Sequence, residues 1–305
     1  MNSGLIFDTK RYAINDGPGI RMTIFMKGCP LKCVWCHNPE SISPKQQKLY
    51  TDSKCIACGE CVKACPNQAC ELTPKGIITD SELCRLCGKC AEICPSEATQ
   101  ISGKYETLET ILTKIEQEII FFDQSGGGIT VSGGEPLYQS DFLLELLDAC
   151  QKRDIHCAVD TSGFAKKTVL LEVARKTDLF LYDLKMMDDK KHKKYTGISN
   201  QKILSNLVEL AKTGADINIR IPLIKGVNDD EENIVQSAKF IAALAGDKKT
   251  VNILPFHNIA IPKYLKLGQD FDLDGMAEPT ESEQQQMINK FAEYGLEAKI
   301  GGLLF

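Results

Sequence analysis

Three cysteines, Cys29, Cys33 and Cys36, lie within eight residues at a Cys-x-x-x-Cys-x-x-Cys spacing. A 4Fe–4S cluster is normally held by four thiolates, so a compact loop that offers three leaves one iron open for a small molecule. That open position predicts chemistry at the cluster. The alternatives are a zinc site and a disulfide, but structural zinc takes four ligands in spaced pairs, and neighbouring loop cysteines pair poorly.

Eight further cysteines form an internal repeat, in which each member of the second four lies 29 residues after its counterpart in the first four. The repeated Cys-x-x-Cys-x-x-Cys-x-x-x-Cys-Pro is the pattern of two-cluster bacterial ferredoxins, in which the fourth cysteine of each run ligates the other cluster. Zinc sites do not require this repeated quartet. We therefore predict two more 4Fe–4S clusters, one held by Cys55, Cys58, Cys61 and Cys94, and the other by Cys84, Cys87, Cys90 and Cys65.

One cysteine between the two runs, Cys70, lies outside the repeat. We interpret it as a buried free thiol, because an unpaired cysteine packs like a small apolar residue. A substitute cluster ligand is the alternative for this position.

The composition limits the class of protein. The 305 residues are 43% hydrophobic and 25% charged, enough for one large core or for one core and a small module. A net charge of -5 provides no basic surface for nucleic acid or an anionic membrane, so we expect a small molecule or a protein as the partner. The sequence shows no signal segment and no apolar run of transmembrane length, which predicts a cytoplasmic protein. In that reducing compartment, the 14 cysteines are expected to be metal ligands rather than disulfides.

The pattern of apolar residues predicts the order of strands and helices. Two short strands, 5–8 and 21–26, flank a turn-rich stretch at 15–19, and the second leads into the three-cysteine loop. From residue 106 onward, apolar runs alternate with amphipathic helices, which is typical of β/α units and a parallel sheet. The strands predicted there are 129–132, 156–160, 179–184, 217–221, 251–254 and 296–300. The predicted helices are 107–122, one from 140, 166–176, 203–212, 231–245, and one that begins at a Thr280-x-x-Glu283 capping box.

The cysteine-bearing strand and the five strands from 129–132 to 251–254 give six strands in β/α units, short of the eight of a closed TIM barrel. We therefore predict an α/β fold: a partial (β/α)6 TIM-like barrel with an inserted bacterial-ferredoxin-like two-cluster domain. The predicted division is a first part of the core with the cluster loop at 1–44, the insert at 45–105, and the remaining β/α units at 106–305.

A polar or otherwise special group follows each of the six strands. In parallel β/α architectures, the active site lies at the C-terminal ends of the strands. The first strand leads into the cysteine loop. The groups after the other five strands are, in chain order, Gly133, Gly134, Glu135 and Pro136; Asp160 and Thr161; Asp183 and Lys185; Arg220; and His257. Two of these have a purely structural alternative: the Gly-Gly-Glu-Pro stretch as a simple turn, and His257 as a core histidine.

The three-cysteine loop, with Trp35 just before its last cysteine, resembles the signature of radical S-adenosylmethionine (radical SAM) enzymes. In that family, the amino and carboxylate groups of SAM chelate the open iron. The stretch at 16–21, which reads Asp-Gly-Pro-Gly-Ile-Arg, resembles one branch, the activases of glycyl radical enzymes. The resemblance covers nearly the entire chain. It implies reductive cleavage of SAM, after which the deoxyadenosyl radical takes a hydrogen atom from a glycine of a partner enzyme.

The same resemblance implies roles for the residues at the strand ends. The motif that holds the amino group of SAM is matched by Gly133, Gly134, Glu135 and Pro136, and Trp35 lies in the loop beside the cofactor. Positions that bind a monovalent cation beside the SAM carboxylate are matched by Asp160, Thr161 and Asp183. Groups that contact SAM are matched by Lys185 and His257. Positions near the incoming substrate peptide are matched by Asp16 and Arg220.

The two-cluster insert is a departure from the simplest member of this branch, pyruvate formate-lyase activase. It resembles activases of dehydratases, decarboxylases and carbon–nitrogen or carbon–sulfur lyases. The implied cofactors are three 4Fe–4S clusters, SAM and a monovalent cation, and the implied partners are a glycyl radical enzyme and a flavodoxin or ferredoxin as electron donor. The alternatives are a radical SAM enzyme that acts on a small metabolite or another peptide, and an electron-transfer iron–sulfur protein.

Overall fold

The computed structural model describes residues 3–246, 249–271 and 275–301. The two ends of the predicted core, 1–2 and 302–305, lie outside the described residues. The strands are β1 Ser3–Ala13, β2 Arg21–Met26, β3 Gln47–Tyr50, β4 Cys70–Thr73, β5 Gly76–Thr79, β6 Thr99–Ser102, β7 Lys104–Thr107, β8 Gly128–Gly133, β9 His156–Thr161, β10 Leu179–Asp183, β11 Ile217–Leu223, β12 Lys249–Pro255 and β13 Ala298–Ile300.

Within the described ranges, the largest sheet has nine strands in the order β13-β12-β11-β10-β9-β8-β2-β1-β7. Every neighbouring pair from β2 to β13 is parallel, whereas β1 pairs antiparallel with both β2 and β7. The predicted β/α strands all lie in this parallel run. The α/β fold with a mostly parallel sheet, consistent with a partial TIM barrel, is thus as predicted.

Helices connect successive parallel strands and pack against the sheet. Their apolar faces follow the helical period, as in α8, where Ile203, Leu207 and Leu210 are buried. None of the helices in the described ranges has the length and apolar character needed to cross a bilayer. The helices are α1 Glu60–Lys63, α2 Lys89–Glu92, α3 Leu108–Glu116, α4 Ile119–Ser125, α5 Ser140–Gln151, α6 Lys167–Ala174, α7 Asp189–Thr196, α8 Gln201–Ala211, α9 Glu231–Ala242, α10 Ile261–Lys266 and α11 Glu281–Ala292.

The two faces of the parallel strands differ in polarity. On β8, Ile129 and Val131 belong to the main apolar core, while the alternate residues Thr130 and Ser132 are buried polar groups. Because successive side chains of a strand point to opposite faces, one face of the sheet packs under the helices and the other is polar. The candidate site residues lie on the polar face, at the ends of the strands.

The cysteine-rich segment between β2 and β7 has a small structure of its own. It contains two two-stranded antiparallel sheets, β3 with β6 and β4 with β5, and the one-turn helices α1 and α2. The 29-residue period is also present in its backbone, because Ala57 and Leu86 have left-handed φ values of 54° and 52°, and Gln68 and Glu97 have 52° and 53°. The segment therefore consists of two structurally equivalent halves.

Several elements differ from the prediction. The helix predicted at 107–122 is two helices, α3 and α4. The chain turns between them at Glu118, whose buried side chain pairs with Arg11 of β1 at 2.5 Å. The strand predicted at 5–8 extends over the whole of β1. Strand β7 and helices α7 and α10 were not predicted. Since β7 pairs with β1, the chain re-enters the large sheet at Lys104.

Candidate active site

The three-cysteine loop follows β2 and is fixed by its backbone. Gly28 and Cys29 donate N–H hydrogen bonds to the carbonyl oxygens of Ser41 and Ile42, at 2.7 and 3.0 Å. Further along, Lys32 donates to the carbonyl of Thr196 at 2.8 Å. Because Thr196 is the last residue of α7, the C-terminal end of this unpredicted helix supports the cysteine loop.

The ends of six parallel strands surround a cavity of about 220 Å³. Parallel strands end at a common edge, so the loops after them meet there. The structure brings together most of the predicted site residues. The lining includes Cys29, Cys33 and Cys36 with Trp35, Gly133 and Gly134, Asp160 and Thr161, Asp183 and Lys185, Arg220, and Pro255 and Phe256. A larger open groove of about 970 Å³ lies between the cysteine-rich segment and the core, and Asn38 borders both this groove and the cavity.

Gly133 and Gly134 are needed for close backbone packing. A Cβ atom on Gly133 would lie 2.4 Å from backbone atoms of Met26, and one on Gly134 would lie 2.5 Å from the carbonyl oxygen of Gly28. Gly133 also has a φ of 112°, which side-chain-bearing residues rarely adopt. These glycines therefore dock the turn after β8 directly onto the start of the cysteine loop, and they also line the cavity.

Glu135 is fully buried and points into the protein. Its carboxylate accepts hydrogen bonds from Thr161 Oγ1 at 2.6 Å, from the backbone N–H and the hydroxyl of Ser162, and from the N–H of Leu137 at 3.1 Å. Burial raises the pKa of Glu135, and these hydrogen bonds oppose the shift. The side chain thus joins the ends of β8 and β9.

The polar lining consists mainly of paired charges. Lys185 Nζ lies 2.9 Å from a carboxylate oxygen of Asp183, and Arg220 Nη1 lies 3.3 Å from Asp160, which also accepts a hydrogen bond from Ser132 at 2.7 Å. Burial raises the pKa of Asp160 to about 6, although the Arg220 guanidinium opposes the shift. Within the described residues, Arg220 Nε is buried and makes no hydrogen bond, so one donor remains available beside the cavity, while Nη1 is held by the ion pair with Asp160.

Four predicted site residues do not line the cavity. Glu135 and Pro136 pack behind the glycine turn, and His257 is exposed at the end of β12. Asp16 accepts a hydrogen bond from Thr23 Oγ1 at 2.7 Å, on the polar face of the sheet. The roles of these four residues stay predictions.

Sequence reasoning missed Asn228, which connects two strand ends. Its side-chain amide donates to the carbonyl oxygens of Lys185 at 3.0 Å and Pro222 at 2.6 Å, and its Oδ1 accepts from the N–H of Ile224 at 2.8 Å. The residue is 1% exposed. The available signal was an amide in the turn after β11, since a buried amide requires several partners.

In the cysteine-rich segment, four thiols of one predicted cluster border a common small cavity, together with Lys48 and Cys70. They are Cys65, Cys84, Cys87 and Cys90. Across the described residues, no group of three or more His, Cys, Asp or Glu side chains converges as a site for a single metal ion. A 4Fe–4S cluster does not require such convergence, because it distributes its four thiolates over four irons.

Comparison with known proteins identifies the family. The sequence model of the radical SAM superfamily matches residues 23–238. The trans-4-hydroxy-L-proline dehydratase activating enzyme of Clostridioides difficile is 42% identical over 301 residues, which cover 98% of this chain and 99% of that protein. The benzylsuccinate synthase activating enzyme of Thauera aromatica is 37% identical, and the alignment covers 100% of this chain and 94% of that protein. The chain belongs to the radical SAM superfamily, among the glycyl radical enzyme activating enzymes.

A solved structure supports the same assignment for part of the chain. A domain of a pyruvate-formate lyase-activating enzyme from Bacteroides vulgatus is 41% identical and superimposes with a TM-score of 0.51, covering 58% of this chain and 99% of that one. As a radical SAM enzyme, this activating enzyme cleaves SAM reductively and abstracts a hydrogen atom with the radical that results.

The lining of the cavity fits the cofactors of a radical SAM enzyme. Burial raises the pKa of the Cys36 thiol to about 12 and also raises those of Cys29 and Cys33, so the thiolate forms need positive charge nearby, which iron would supply. The unpartnered Nε of Arg220 and the ammonium of Lys185 border a space where an anionic group would be stabilised.

Proposed function

We propose that the cavity at the strand ends is the SAM cleavage site, and that the enzyme activates a glycyl radical enzyme of the class whose activases carry a two-cluster insert. The observation that supports this most strongly is the convergence of six strand ends on one cavity that includes the three-cysteine loop. A carrier of electrons alone has no use for such a cavity.

Cys29, Cys33 and Cys36 would hold the active-site 4Fe–4S cluster. When bound, the cluster and SAM supply the electron and the radical precursor of the reaction. The protein's contribution is geometric: backbone hydrogen bonds from the cysteine loop to Ser41 and Thr196 fix the loop, and the apolar side chain of Trp35, which is 6% exposed, packs with Met186 and Phe256 to shield it from water.

The remaining lining residues would bind SAM and a monovalent cation. The backbone of Gly133 and Gly134 is proposed to face the amino group of SAM, and Lys185, held by Asp183, to contact SAM through its ammonium. Asp160, Thr161 and Asp183 offer the oxygen atoms that a hard monovalent cation prefers. Glu135 and Pro136 would act by fixing the glycine turn, and His257 would reach SAM only if its exposed side chain moves inward.

Asp16 and Arg220 are proposed to receive the partner's glycine-bearing loop. Burial alone would lower the pKa of Arg220, but the carboxylates around it, Asp16 among them, raise it, so the guanidinium stays charged. A charged guanidinium whose Nε has no hydrogen-bond partner is suited to bind a peptide carbonyl oxygen.

The cysteine-rich segment is proposed to be a ferredoxin-like domain at 45–105, inserted between the core parts 1–44 and 106–305. It would hold two further clusters, giving three in all, and would receive electrons from a flavodoxin or ferredoxin. Its two equivalent halves and the four thiols around one cavity support this. The cytoplasmic location stays a prediction.

Formation of a glycyl radical tests the function. The anaerobically reconstituted enzyme would be incubated with SAM, a reductant and a candidate partner, first trans-4-hydroxy-L-proline dehydratase because of the 42% identical relative. We expect a glycyl radical doublet in the electron paramagnetic resonance (EPR) spectrum of the partner, and none with the Cys33→Ala variant. SAM cleavage without a radical in any dehydratase, decarboxylase or lyase candidate would instead favour a small-metabolite substrate.

A further inference from the structure

The two halves of the cysteine-rich segment differ at one partly buried position. Lys48 on β3 and Ile77 on β5 are 29 residues apart and therefore occupy equivalent places in the repeat. Ile77 is buried in a small apolar cluster with Cys61, Cys70 and Cys90. Lys48 instead lines the cavity bordered by Cys65, Cys84 and Cys90.

The position of the Lys48 ammonium is fixed by two contacts. Lys48 Nζ donates to Thr79 Oγ1 at 2.7 Å and to the Cys70 sulfur at 3.2 Å. Cys70 has Thr99 as its counterpart 29 residues later. One half of the segment thus carries a cation and a thiol where the other carries an isoleucine and a threonine.

Surface charges also differ between the halves, but each half has a cation that its counterpart lacks. Arg85 of the second half corresponds to Ile56 of the first in the 29-residue repeat, whereas Lys63 of the first half corresponds to Glu92 of the second. Exposed charges such as Lys63, with 73% of its side-chain surface accessible, are screened by water and salt. Lys48 and Arg85 both border the cysteine cavity, but Arg85 is exposed and Lys48 is half-buried, so the charge of Lys48 is screened less.

We propose that Lys48 makes the two insert clusters unequal, so that the cluster of Cys65, Cys84, Cys87 and Cys90 has the higher reduction potential. The inference rests on the two insert clusters proposed above. A 4Fe–4S cluster gains one negative charge when a one-electron donor, such as a reduced flavin or dithionite, converts it from the 2+ to the 1+ state. A fixed cation stabilises that added charge, and cluster potentials respond to nearby charge. A single electron given to the insert therefore resides beside Lys48.

An EPR-monitored redox titration of the full-length chain tests this. The background combines Cys29→Ala, Cys33→Ala and Cys36→Ala, so that only the insert clusters contribute. We expect two midpoint potentials. Lys48→Ile should move the higher one to a more negative value and shift the lower one less, because the charge of Lys48 also reaches Cys61 of the other predicted cluster. Lys48→Arg should preserve both, and Ile77→Lys should raise the lower one.

Matched variants separate this effect from general damage. Lys75→Met removes an exposed cation of the same segment and should leave both midpoints unchanged. Two assembled clusters whose midpoints do not respond to Lys48→Ile would overturn the inference, as would a shift of the lower midpoint alone. A background protein that binds no iron would overturn the proposed insert clusters as well, and the iron content distinguishes that outcome from the others.

Discussion

Glu135 and Asn228 are two buried polar side chains whose contacts are with the protein rather than with the cavity. Glu135 receives hydrogen bonds from Thr161 and Ser162, and Asn228 spans from Lys185 to Pro222. Each joins the ends of adjacent strands, so each fixes the spacing of groups that line the site. Their sequence neighbourhoods indicate a polar turn but not the direction of the side chain, which is set by the neighbouring strand.

Glu135→Gln should lower stability and weaken SAM binding. The amide nitrogen of glutamine would face hydroxyl and N–H donors and leave some of them unpaired, at a cost of about 1–3 kcal/mol. Anaerobic thermal unfolding and SAM equilibrium binding would measure this. The control is Glu172→Gln on the exposed face of α6. An equal effect of both variants would contradict the proposal that Glu135 fixes the glycine turn.

Asn228→Ala removes the amide bridge between the ends of β10 and β11. The carbonyl oxygens of Lys185 and Pro222 would lose buried partners, so we expect a loss of about 1–3 kcal/mol in stability and a rise in the dissociation constant of SAM. Asn289→Ala on the exposed face of α11 is the control and should leave both quantities unchanged. Unaltered SAM affinity in Asn228→Ala would show that Lys185 is held in place without it.

At the scale of elements, the sequence predicted the parallel strands because each is an apolar run with a clear boundary. Helix α7 was missed because it is mostly charged: only His192 and Thr196 are buried, so no apolar period marks it. Strand β7 was missed because Glu106, its one buried residue, is charged and is neutralised by Lys114 of α3 at 2.6 Å. Such pairings are visible only once distant elements are brought together.

The insert should act as an electron relay. In Cys87→Ala, which removes a thiol of one predicted insert cluster, a protein reductant such as flavodoxin should support much less SAM cleavage than in the unmodified enzyme. With a small strong reductant that reaches the active-site cluster directly, SAM cleavage in the variant should fall only slightly. Deoxyadenosine formation measures both. Equal activity with the two reductants, in a variant shown to lack that cluster, would leave the insert with a structural role only.

At the scale of the whole molecule, three separate sets of cysteines support the proposed division of the chain into a site of chemistry and a segment that carries electrons. The sequence predicted these sets from spacing alone, since ligand spacing is local. It also predicted which strand ends meet, because parallel strands share an edge. It did not predict that α7 would hold the cysteine loop through Thr196, since that contact joins distant parts of the chain.

Iron content tests the three sets together. The reconstituted enzyme should bind about twelve irons per chain, and the variant with Cys29, Cys33 and Cys36 all changed to Ala should bind about eight and cleave no SAM. Cys150→Ala, a buried cysteine outside the three sets, should keep the full iron content. Saturation of the unmodified enzyme near eight irons would remove one proposed site, and deoxyadenosine formation by the triple variant would contradict the active-site assignment.

The pairing of β2 with β8, in which Arg21 lies opposite Gly128, has a consequence for how the protein matures. During synthesis, the cysteine loop and then the whole insert leave the ribosome before β8 exists. The insert closes its own sheets among residues 47–102. It would therefore fold and take up the iron of its proposed clusters first, before the active-site thiols gain their neighbouring strands. We therefore expect immature chains that carry iron but no SAM chemistry, and iron content alone is then a poor measure of how many molecules have finished assembly.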